Sequence, residues 1–446
     1  MVVSVTVLAL AAPSVPARAA VTSQVEDINP SGDSHPSYIV DFGGKAFFAA
    51  NDGSTGIELW KSDGTETGTK RVKDINPNGD SSPYNLMVVG STLFFAANDG
   101  SSGVELWKSD GTRVGTKRVK DINPGADGSA ILGFAHVGGT LYFVADDGSA
   151  GHELWKSDGT GTGTKRVKDI NTAGSSVPLW LTNVGGTLFF SADDGSTGRE
   201  LWKSDGTGAG TVRVRNIKAG VLSSAPSSLA NVGGTLFFSA DDGSTGIELW
   251  KSDGTHDGTK LVKDVNNQPT SSEPIGLINV GGTLFFSGTD GSGTELWKSN
   301  GTTIGTKRVK DIDPNGSAGV AYLVKAGGTL FFDADDGTHG AELWKSDGTG
   351  AGTMLVEDIN PEGGIGGLGW SADVGGTLFF GPFGYGTSAS ELYESDGTEA
   401  GTFLVANINP EAGVGSNPAY LADVAGTLFF QADDGTTGFE LWKHVP

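Results

Sequence analysis

The sequence contains no cysteine among its 446 residues, and this absence removes several kinds of chemistry. Disulfide bonds, thiolate metal ligands and a cysteine nucleophile are all unavailable. Basic residues are also scarce, since 30 Lys and Arg face 53 Asp and Glu and give a formal net charge of −23. Nucleic-acid binding needs basic patches that displace counterions, so this balance argues against a nucleic-acid partner. The net acidity indicates instead a protein that charge repulsion keeps in solution.

Long apolar runs are almost absent, and the one short exception lies at the N-terminus. Residues 2–12 are apolar, and Ala17, Arg18 and Ala19 fit a small-residue cleavage site. We therefore predict a secretory signal peptide over residues 1–20, although a basic n-region is missing; a buried N-terminal strand is the alternative. No other segment approaches the ~20 apolar residues of a membrane span. We expect a secreted or cell-surface protein whose residues 21–446 form one domain.

A motif with the residues Glu-Leu-Trp-Lys-Ser-Asp-Gly-Thr, first seen at residues 58–65, recurs along the chain. Successive copies are 47 to 49 residues apart, and their Glu-Leu-aromatic cores begin at Glu58, Glu105, Glu153, Glu200, Glu248, Glu295, Glu342, Glu391 and Glu440. A period of this length is typical of repeat architectures. The 72 glycines fall at fixed places within the repeats, which indicates turns rather than disorder.

Each repeat is predicted to contain four short strands. In the first complete repeat they cover residues 38–42, 45–50, 57–61 and 70–75, and glycine-rich turns separate them. Four-stranded antiparallel units repeated radially make a β-propeller, so we predict an all-β propeller. An extended solenoid is the alternative, but it would need polar caps at its ends.

The two ends of the chain complement each other. Residues 24–30 match the fourth strand of the first repeat, whereas residues 420–443 supply only strands one to three. We therefore predict a ring that closes when the N-terminal strand completes the C-terminal blade, which leaves no exposed sheet edge. The prediction gives nine blades, more than the usual four to eight.

The run over residues 58–69 is similar to the bacterial ELWxxDGT repeat family, whose members are secreted or surface proteins without a firmly assigned common activity. The similarity covers essentially all of residues 21–446. The chain departs from the motif at Asn300, which replaces the turn aspartate, at Tyr393, which replaces the tryptophan, and after Lys443, where the last copy stops. The resemblance implies a secreted repeat protein and implies no particular reaction.

The repeated side chains are interpreted as parts of the scaffold. We expect the nine motif glutamates to form cross-strand ion pairs with basic residues such as Lys70, Arg71 and Lys73, rather than a polar ring. We expect the motif tryptophans to pack between blades, although stacking on sugars is the alternative. Turn capping explains the many Asp-Gly turns, so no cofactor is predicted; Ca²⁺ bound by these carboxylates is the alternative. The six histidines show no metal-ligand spacing, and no metal site is predicted.

The residues that do not repeat are the candidates for function. The crossover loops between blades vary most, and they should lie on the same face as the turns between the second and third strands. Loops on a rigid scaffold are favoured places for binding. The candidate ligand-binding residues, including two from the irregular eighth repeat, are Asp33, His35, Asp80, Asp127, Trp180, Glu273, Trp370, Phe383 and Tyr385.

Two functions remain open. The first is a monomeric binding or scaffold module that holds a glycan or a protein ligand through its variable face. The second is an extracellular polysaccharide hydrolase or lyase with its site on that face. No catalytic residue can be assigned, because no convergent acid, base or nucleophile is visible in the sequence. Binding is therefore the preferred hypothesis, and fold alone does not decide between the two.

Overall fold

The computed structural model describes residues 20–266, 270–383, 390–411 and 413–446, and over these ranges it contains strands and turns but no helix. The strands form nine four-stranded antiparallel sheets. The first strands of neighbouring sheets contact one another all around a ring. The predicted nine-bladed β-propeller is therefore confirmed. The predicted signal peptide falls on residues 1–19, which lie outside the described residues, and on Ala20.

We number the blades in chain order from the first complete one, and give the strands of each from the central channel outward. Blade 1 comprises Ser37–Asp41, Ala46–Asn51, Ile57–Ser62 and Lys70–Lys73; blade 2, Tyr84–Val89, Thr92–Asn98, Val104–Ser109 and Lys117–Lys120; blade 3, Leu132–Val137, Thr140–Asp146, His152–Ser157 and Lys165–Lys168. Blade 4 comprises Leu179–Val184, Thr187–Asp193, Arg199–Ser204 and Val212–Arg215; blade 5, Ser227–Val232, Thr235–Asp241, Ile247–Ser252 and Lys260–Lys263; blade 6, Ile275–Val280, Thr283–Thr289, Thr294–Ser299 and Lys307–Arg308. Blade 7 comprises Ala321–Ala326, Thr329–Asp335, Ala341–Ser346 and Met354–Glu357; blade 8, Trp370–Val374, Thr377–Gly381, Leu392–Ser395 and Thr402–Ala406; blade 9, Ala419–Val424, Thr427–Asp433, Phe439–Val445 and the N-terminal Val21–Glu26.

Blade 9 closes the ring as predicted. Its outer strand comes from the N-terminus and pairs antiparallel with the third strand, with Val21 opposite Val445. The side chain of His444 lies at this seam, where its Nδ1 is 2.8 Å from Thr22 Oγ1. Across the junction with blade 1, the ammonium group of Lys443 donates to the carbonyl of Gly64 at 2.6 Å. Closure thus combines the pairing of the two terminal strands with a side-chain hydrogen bond within blade 9 and another to blade 1.

The hydrophobic core lies between blades. Phe47 and Leu59 of blade 1 pack against Phe95 and Trp107 of blade 2, and the same pattern recurs around the ring. The prediction that the motif tryptophans pack between blades is confirmed. Lys73, from the outer strand of blade 1, places its Nζ 5.4 Å from the Trp107 ring centre. This cation–π contact adds to the apolar packing.

The motif glutamates anchor the crossover loops. Glu58 is fully buried, and its carboxylate accepts hydrogen bonds from the backbone N–H of Ile75 at 2.8 Å and of Asn76 at 3.2 Å. The hydroxyl of Ser81 donates to the same carboxylate at 2.7 Å. A buried carboxylate must be compensated in this way. Each glutamate therefore fixes the chain that leads to the next blade.

The predicted ion pairs between these glutamates and Lys70, Arg71 or Lys73 were wrong. Lys73 turns to the next blade instead, and Arg71 lies 3.6 Å from Asp52 in the turn between the second and third strands. The donors that compensate the glutamate are mostly backbone N–H groups, which no residue pattern reveals.

The crossover loops lie beside the turns between the second and third strands, as predicted. The Asp80 carboxylate in the first such loop accepts a hydrogen bond from the backbone N–H of Ile57 at 2.8 Å. The backbone N–H of Asn51, at the end of the second strand, donates to the carbonyl of Ser34 at 2.9 Å. Loops and turns therefore form one continuous face, called here the crossover face.

Replacing Glu200 by alanine tests the anchoring role. In the native protein the carboxylate accepts from the N–H of Ile217 and from both the N–H and the hydroxyl of Ser224. Glu200→Ala leaves these buried donors unpaired and should lower the free energy of unfolding by about 3 kcal/mol, whereas Ser224→Ala should cost about 1 kcal/mol. Shifts of the urea midpoint measure both effects. Equal shifts for the two variants would contradict the anchoring role.

Buried glutamates and turn aspartates give the stability opposite dependences on pH. Burial raises the pKa of Glu342 and of Glu440 to about 7, although hydrogen bonds from backbone N–H groups oppose the shift. At Asp99 and Asp336 burial also acts upward, but hydrogen bonds from the turn residues outweigh it and lower the pKa to about 2.

These shifts predict a stability maximum near pH 4 to 4.5. Between the ordinary glutamate pKa of 4.5 and about 7 the folded chain holds more protons than the unfolded chain, so stability should fall as the pH rises through this window. The stabilisation from the turn aspartates is present above their ordinary pKa of 3.8 and should be lost as the pH falls towards 2. Melting temperatures measured from pH 2 to 8 should therefore pass through a maximum. A rise of melting temperature from pH 5 to 8 would contradict this account.

Candidate ligand-binding site

The inner strands carry a bulge at the crossover face. In every blade except the eighth, the second residue of the inner strand has a positive φ, and these residues are Tyr38, Asn85, Gly133, Trp180, Ser228, Gly276, Tyr322 and Tyr420. The pairing with the second strand shifts register at this point in the same eight blades. A bulge of this kind bends the strand and re-aims its side chain. Each of these blades therefore presents one residue from the same backbone position, and the type of residue varies among the blades.

In blade 8 the register places Trp370 at this position. Ala372 lies opposite Phe379 there, as Val40 lies opposite Phe47 in blade 1. The positive φ falls one residue earlier, on Gly369. The bulge position therefore carries tyrosine or tryptophan in five blades, namely Tyr38, Trp180, Tyr322, Trp370 and Tyr420.

Four of these five aromatic residues come from adjacent blades, because blades 7, 8, 9 and 1 are neighbours in the ring. The ring centres of Trp370 and Tyr420 are 4.5 Å apart, and those of Tyr420 and Tyr38 are 5.7 Å apart. Tyr322 lies 5.9 Å from Phe383, which follows the second strand of blade 8. We call the side chains of Tyr38, Tyr322, Trp370, Phe383 and Tyr420 the aromatic arc. Trp370, Tyr322 and Tyr38 are each between 42% and 50% exposed, so aromatic surface faces solvent.

Two cavities adjoin the aromatic arc. A cleft of about 470 Å³ lies between blades 8 and 9, and its lining includes Trp370, Pro382, Phe383, Asn417 and Gln431. A smaller hollow of about 210 Å³ lies among the inner strands and is lined by Tyr38, Ile39, Val40, Asn85, Leu86, Trp370, Tyr420 and Leu421. We call it the channel-mouth hollow. Trp370 borders both cavities and stands between them.

The cleft lies where blade 8 departs from the repeat. Gly381 and Gln431 occupy the same place in the second strands of blades 8 and 9, where blades 1 to 6 carry only alanine, valine or serine. A Cβ at Gly381 would lie 2.8 Å from the carbonyl oxygen of Pro418, so the close approach of the chain that leads into blade 9 requires glycine there. Gln431 is 8% exposed and lines the cleft.

The lining of both cavities is uncharged. Among the described residues that border them, none is Asp, Glu, His, Lys or Arg. Burial, reinforced by the neighbouring Tyr38, raises the pKa of Tyr420 above its ordinary value of 10, so this phenol is neutral at physiological pH. The polar groups offered to a ligand are therefore amides and hydroxyls, which both donate and accept hydrogen bonds.

Two of the predicted site residues, Asp33 and Asp80, accept hydrogen bonds that hold their loops to a third strand. Asp33 accepts from the N–H of Phe439 at 2.8 Å, as Asp80 does from the third strand of blade 1. Asp127 has no such contact, because the loop after blade 2 is one residue longer. Gly128 fills the place that Asp33 and Asp80 occupy in their loops, and Asp127 is exposed.

The structure brings together only part of the predicted set. Trp370 and Phe383 both line the cleft, and His35 lies at its rim, where its ring stacks on Phe439 at 5.3 Å. Glu273 occupies the same loop position as His35 but in the loop between blades 5 and 6, and Trp180 belongs to blade 4. Tyr385 lies outside the described residues.

Sequence analysis missed Tyr38, Tyr322, Tyr420 and Gln431. Tyr38 and Tyr420 were predicted only as parts of strands, and Tyr322 was not singled out. A signal was nevertheless present, since all three stand at the same distance before the repeated Phe-Phe pair as Trp180 and Trp370 do. Aligning the repeats on that pair would have grouped all five aromatic residues.

The acidic turns are occupied by internal hydrogen bonds. Asp52 accepts from the backbone N–H groups of Ser54 at 2.9 Å and of Thr55 at 2.8 Å, and from both hydroxyls. Within the described parts of the chain, no three His, Asp or Glu side chains converge in a way that could hold a metal ion. Turn capping therefore accounts for these carboxylates where the structure describes them. None of the described residues forms a helix with the length and apolar character to cross a bilayer.

Comparison with known proteins finds only distant structural likeness. No protein-family model and no curated protein matches the sequence. Similar solved structures include a puromycin hydrolase (11% identity, 81% of this chain and 60% of that one, TM-score 0.39). They also include a structure from a study of two prolyl endopeptidases (14%, 82% and 54%, TM-score 0.43) and an acylaminoacyl peptidase of Pyrococcus horikoshii (13%, 86% and 54%, TM-score 0.41). The chain spans between 54% and 60% of the length of these structures.

Trp180 allows the strain at the bulge to be measured. Its φ of 59° is unfavourable for a bulky residue, whereas Gly133 and Gly276 adopt the same conformation in blades 3 and 6 without that cost. Because the side chain is 52% exposed, Trp180→Gly loses little packing and should raise the free energy of unfolding by up to about 1 kcal/mol. Thermal and urea denaturation measure the change. A loss of more than about 1 kcal/mol would show that the tryptophan stabilises the fold.

Proposed function

We propose that this propeller is a glycan-binding module whose binding surface is the aromatic arc together with the cleft between blades 8 and 9. The observation that carries the proposal is the run of aromatic side chains from four adjacent blades, three of them 42% to 50% exposed, beside a cleft that Asn417 and Gln431 help to line. Aromatic rings pack well on the apolar C–H faces of sugar rings, because that contact removes both surfaces from water. Amide groups beside the rings supply donors and acceptors for sugar hydroxyls.

The uncharged lining favours binding over glycan cleavage. Hydrolysis of a glycosidic bond ordinarily uses a pair of carboxyl groups on either side of the bond. Among the described residues that border the two cavities, neither an Asp nor a Glu is present. A general base or acid would therefore have to come from beyond the described lining, whereas binding needs only the groups already in place.

A peptide ligand is the less favoured alternative. Peptide recognition by an exposed sheet relies on a free strand edge. The outer edge of each blade lies far from the arc, and the bulges interrupt the inner edges where the arc lies. The described residues that line the two cavities are uncharged, which fits a sugar chain.

The proposal includes an extracellular location. The apolar segment at residues 2–12, the small-residue site before Ala20 and the similarity to the ELWxxDGT repeat family support secretion or display at the cell surface. A closed ring whose blades keep only short outer edges supports a monomer. The turn aspartates are saturated by hydrogen bonds, so we propose no calcium requirement for binding.

Two matched variants test the binding surface. Tyr420→Gly and Trp180→Gly both remove an aromatic ring from a positive-φ bulge that glycine adopts easily, but only Tyr420 contacts other rings of the arc. On a panel of neutral polysaccharides, the wild-type protein should bind at least one polymer without releasing reducing ends. Tyr420→Gly should weaken that binding by at least about tenfold, whereas Trp180→Gly should retain it. Affinity electrophoresis measures binding, and a reducing-sugar assay measures cleavage.

Three outcomes would count against the proposal. Failure to bind any polysaccharide of the panel would remove the glycan ligand, and release of reducing ends would favour the hydrolase. An equal loss of polysaccharide affinity in both variants would show that the arc is not the binding surface. Melting temperatures of the two variants, compared with the wild-type value, show whether each has kept its fold.

A further inference from the structure

We infer, on the basis of the glycan-binding function proposed above, that the site holds at least two consecutive units of an uncharged glycan chain. One unit occupies the cleft between blades 8 and 9, and the next lies in the channel-mouth hollow, with the linkage passing over Trp370. The inference concerns the length and charge of the ligand, which the binding function alone leaves open.

The position of Trp370 carries the two-unit arrangement. This side chain borders both cavities, and its ring lies 4.5 Å from Tyr420, which lines only the hollow. A ligand in the cleft that extends along the arc must pass Trp370 before it reaches Tyr420 and Tyr38. The two cavities are therefore consecutive along one path.

The cleft has the features of a primary subsite. Its volume of about 470 Å³ lies within the range of small-ligand pockets, which is about 300 to 1,000 Å³. Asn417 and Gln431 place carboxamide side chains in its lining. A carboxamide both donates and accepts hydrogen bonds, so it suits a sugar hydroxyl or an N-acetyl group.

The channel-mouth hollow has the features of an extension subsite. Its volume of about 210 Å³ is below the range of independent ligand pockets, so it would not hold a ligand firmly on its own. Tyr38 and Tyr420 give it two aromatic rings 5.7 Å apart, and Asn85 adds an amide. Such a surface adds contact to a chain that is already held in the cleft.

Charge limits the chain to uncharged sugars. Where the structure describes the lining, no Lys or Arg is available to balance a uronate or a sulfate group, and the whole protein carries a formal charge of −23. Bringing an anionic chain into this surface would add repulsion and desolvation without compensation. Neutral hexose and N-acetylhexosamine chains carry neither penalty.

An oligosaccharide length series tests the inference. The probes are two neutral ladders, from glucose to cellopentaose and from N-acetylglucosamine to chitopentaose, with oligogalacturonates as the anionic comparison; isothermal titration calorimetry measures each affinity. For the neutral ladder that binds, the disaccharide should bind at least about tenfold more tightly than the monosaccharide. The oligogalacturonates should not bind.

Two variants test which subsite provides the increase in affinity from monosaccharide to disaccharide. Tyr38→Gly should abolish most of the gain from the second sugar, so that the disaccharide binds this variant little more tightly than the monosaccharide does. Gln431→Ser should weaken every length, including the monosaccharide, and should fold normally because Ser191, Ser239 and Ser287 occupy this position in blades 4, 5 and 6. A melting temperature close to the wild-type value confirms that each variant is folded.

The possible failures are distinguishable. Equal affinity for monosaccharide and longer chains would overturn the two-unit inference while leaving glycan binding intact, and so would an equal loss at all lengths in Tyr38→Gly. Tight binding of oligogalacturonates would overturn the restriction to neutral chains. Failure of both neutral ladders together with failure of the polysaccharide panel would overturn the inference and the proposed function alike.

Discussion

The buried carboxylate of the motif glutamate is the interaction on which the rest of the propeller depends. In blade 1 it joins the third strand to the first residues of the crossover loop, through the N–H groups of Ile75 and Asn76 and the hydroxyl of Ser81. Without these donors the buried charge would be strongly destabilising. The loop is therefore fixed at its donors and free to vary elsewhere. His35 and Glu273 show this freedom, since both occupy one loop position while their backbone N–H groups make the same contact.

A second set of interactions joins the blades, and it changes where the candidate site lies. In blades 1 to 7 the motif lysine donates to a carbonyl in the next blade, as Lys61 does to Gly111 at 2.6 Å. Blade 8 carries Glu394 in that place, and the imidazole of His444 lies 3.9 Å from its carboxylate. The same blade replaces the motif tryptophan by Tyr393, and its Gly381 lines the cleft. Departure from the scaffold pattern and the candidate site thus coincide, as expected where binding competes with local stability.

The sequence was sufficient for the fold because periodicity, turn residues and complementary ends all gave the same answer. It was insufficient for the partners of Glu58, since backbone N–H groups leave no mark in a residue pattern. It was also insufficient for the aromatic arc. Tyr38 and Tyr322 are nearly 300 residues apart in the chain, and only ring closure makes their blades near neighbours. A tyrosine at positive φ is uncommon enough that no strand pattern predicts it. Asp127 shows a further limit, because the loop after blade 2 is one residue longer and places Gly128, not Asp127, where Asp33 and Asp80 lie in their loops.

Backbone strain bears on why aromatic residues occupy the bulge. The conformation suits glycine, and Gly133 and Gly276 show that the fold accepts it there. Aromatic residues at the same position cost free energy, so folding alone does not account for them, and strain of this kind is concentrated at functional sites. Within the arc, Tyr420 recovers part of the cost through contacts with Trp370 and Tyr38. Trp180 makes no ring contact in the part of the chain that the structure describes. The effect of replacing Trp180 therefore reports the strain of the bulge without the ring contacts of the arc. Contact between neighbouring rings is what distinguishes a binding surface from a row of isolated aromatic residues.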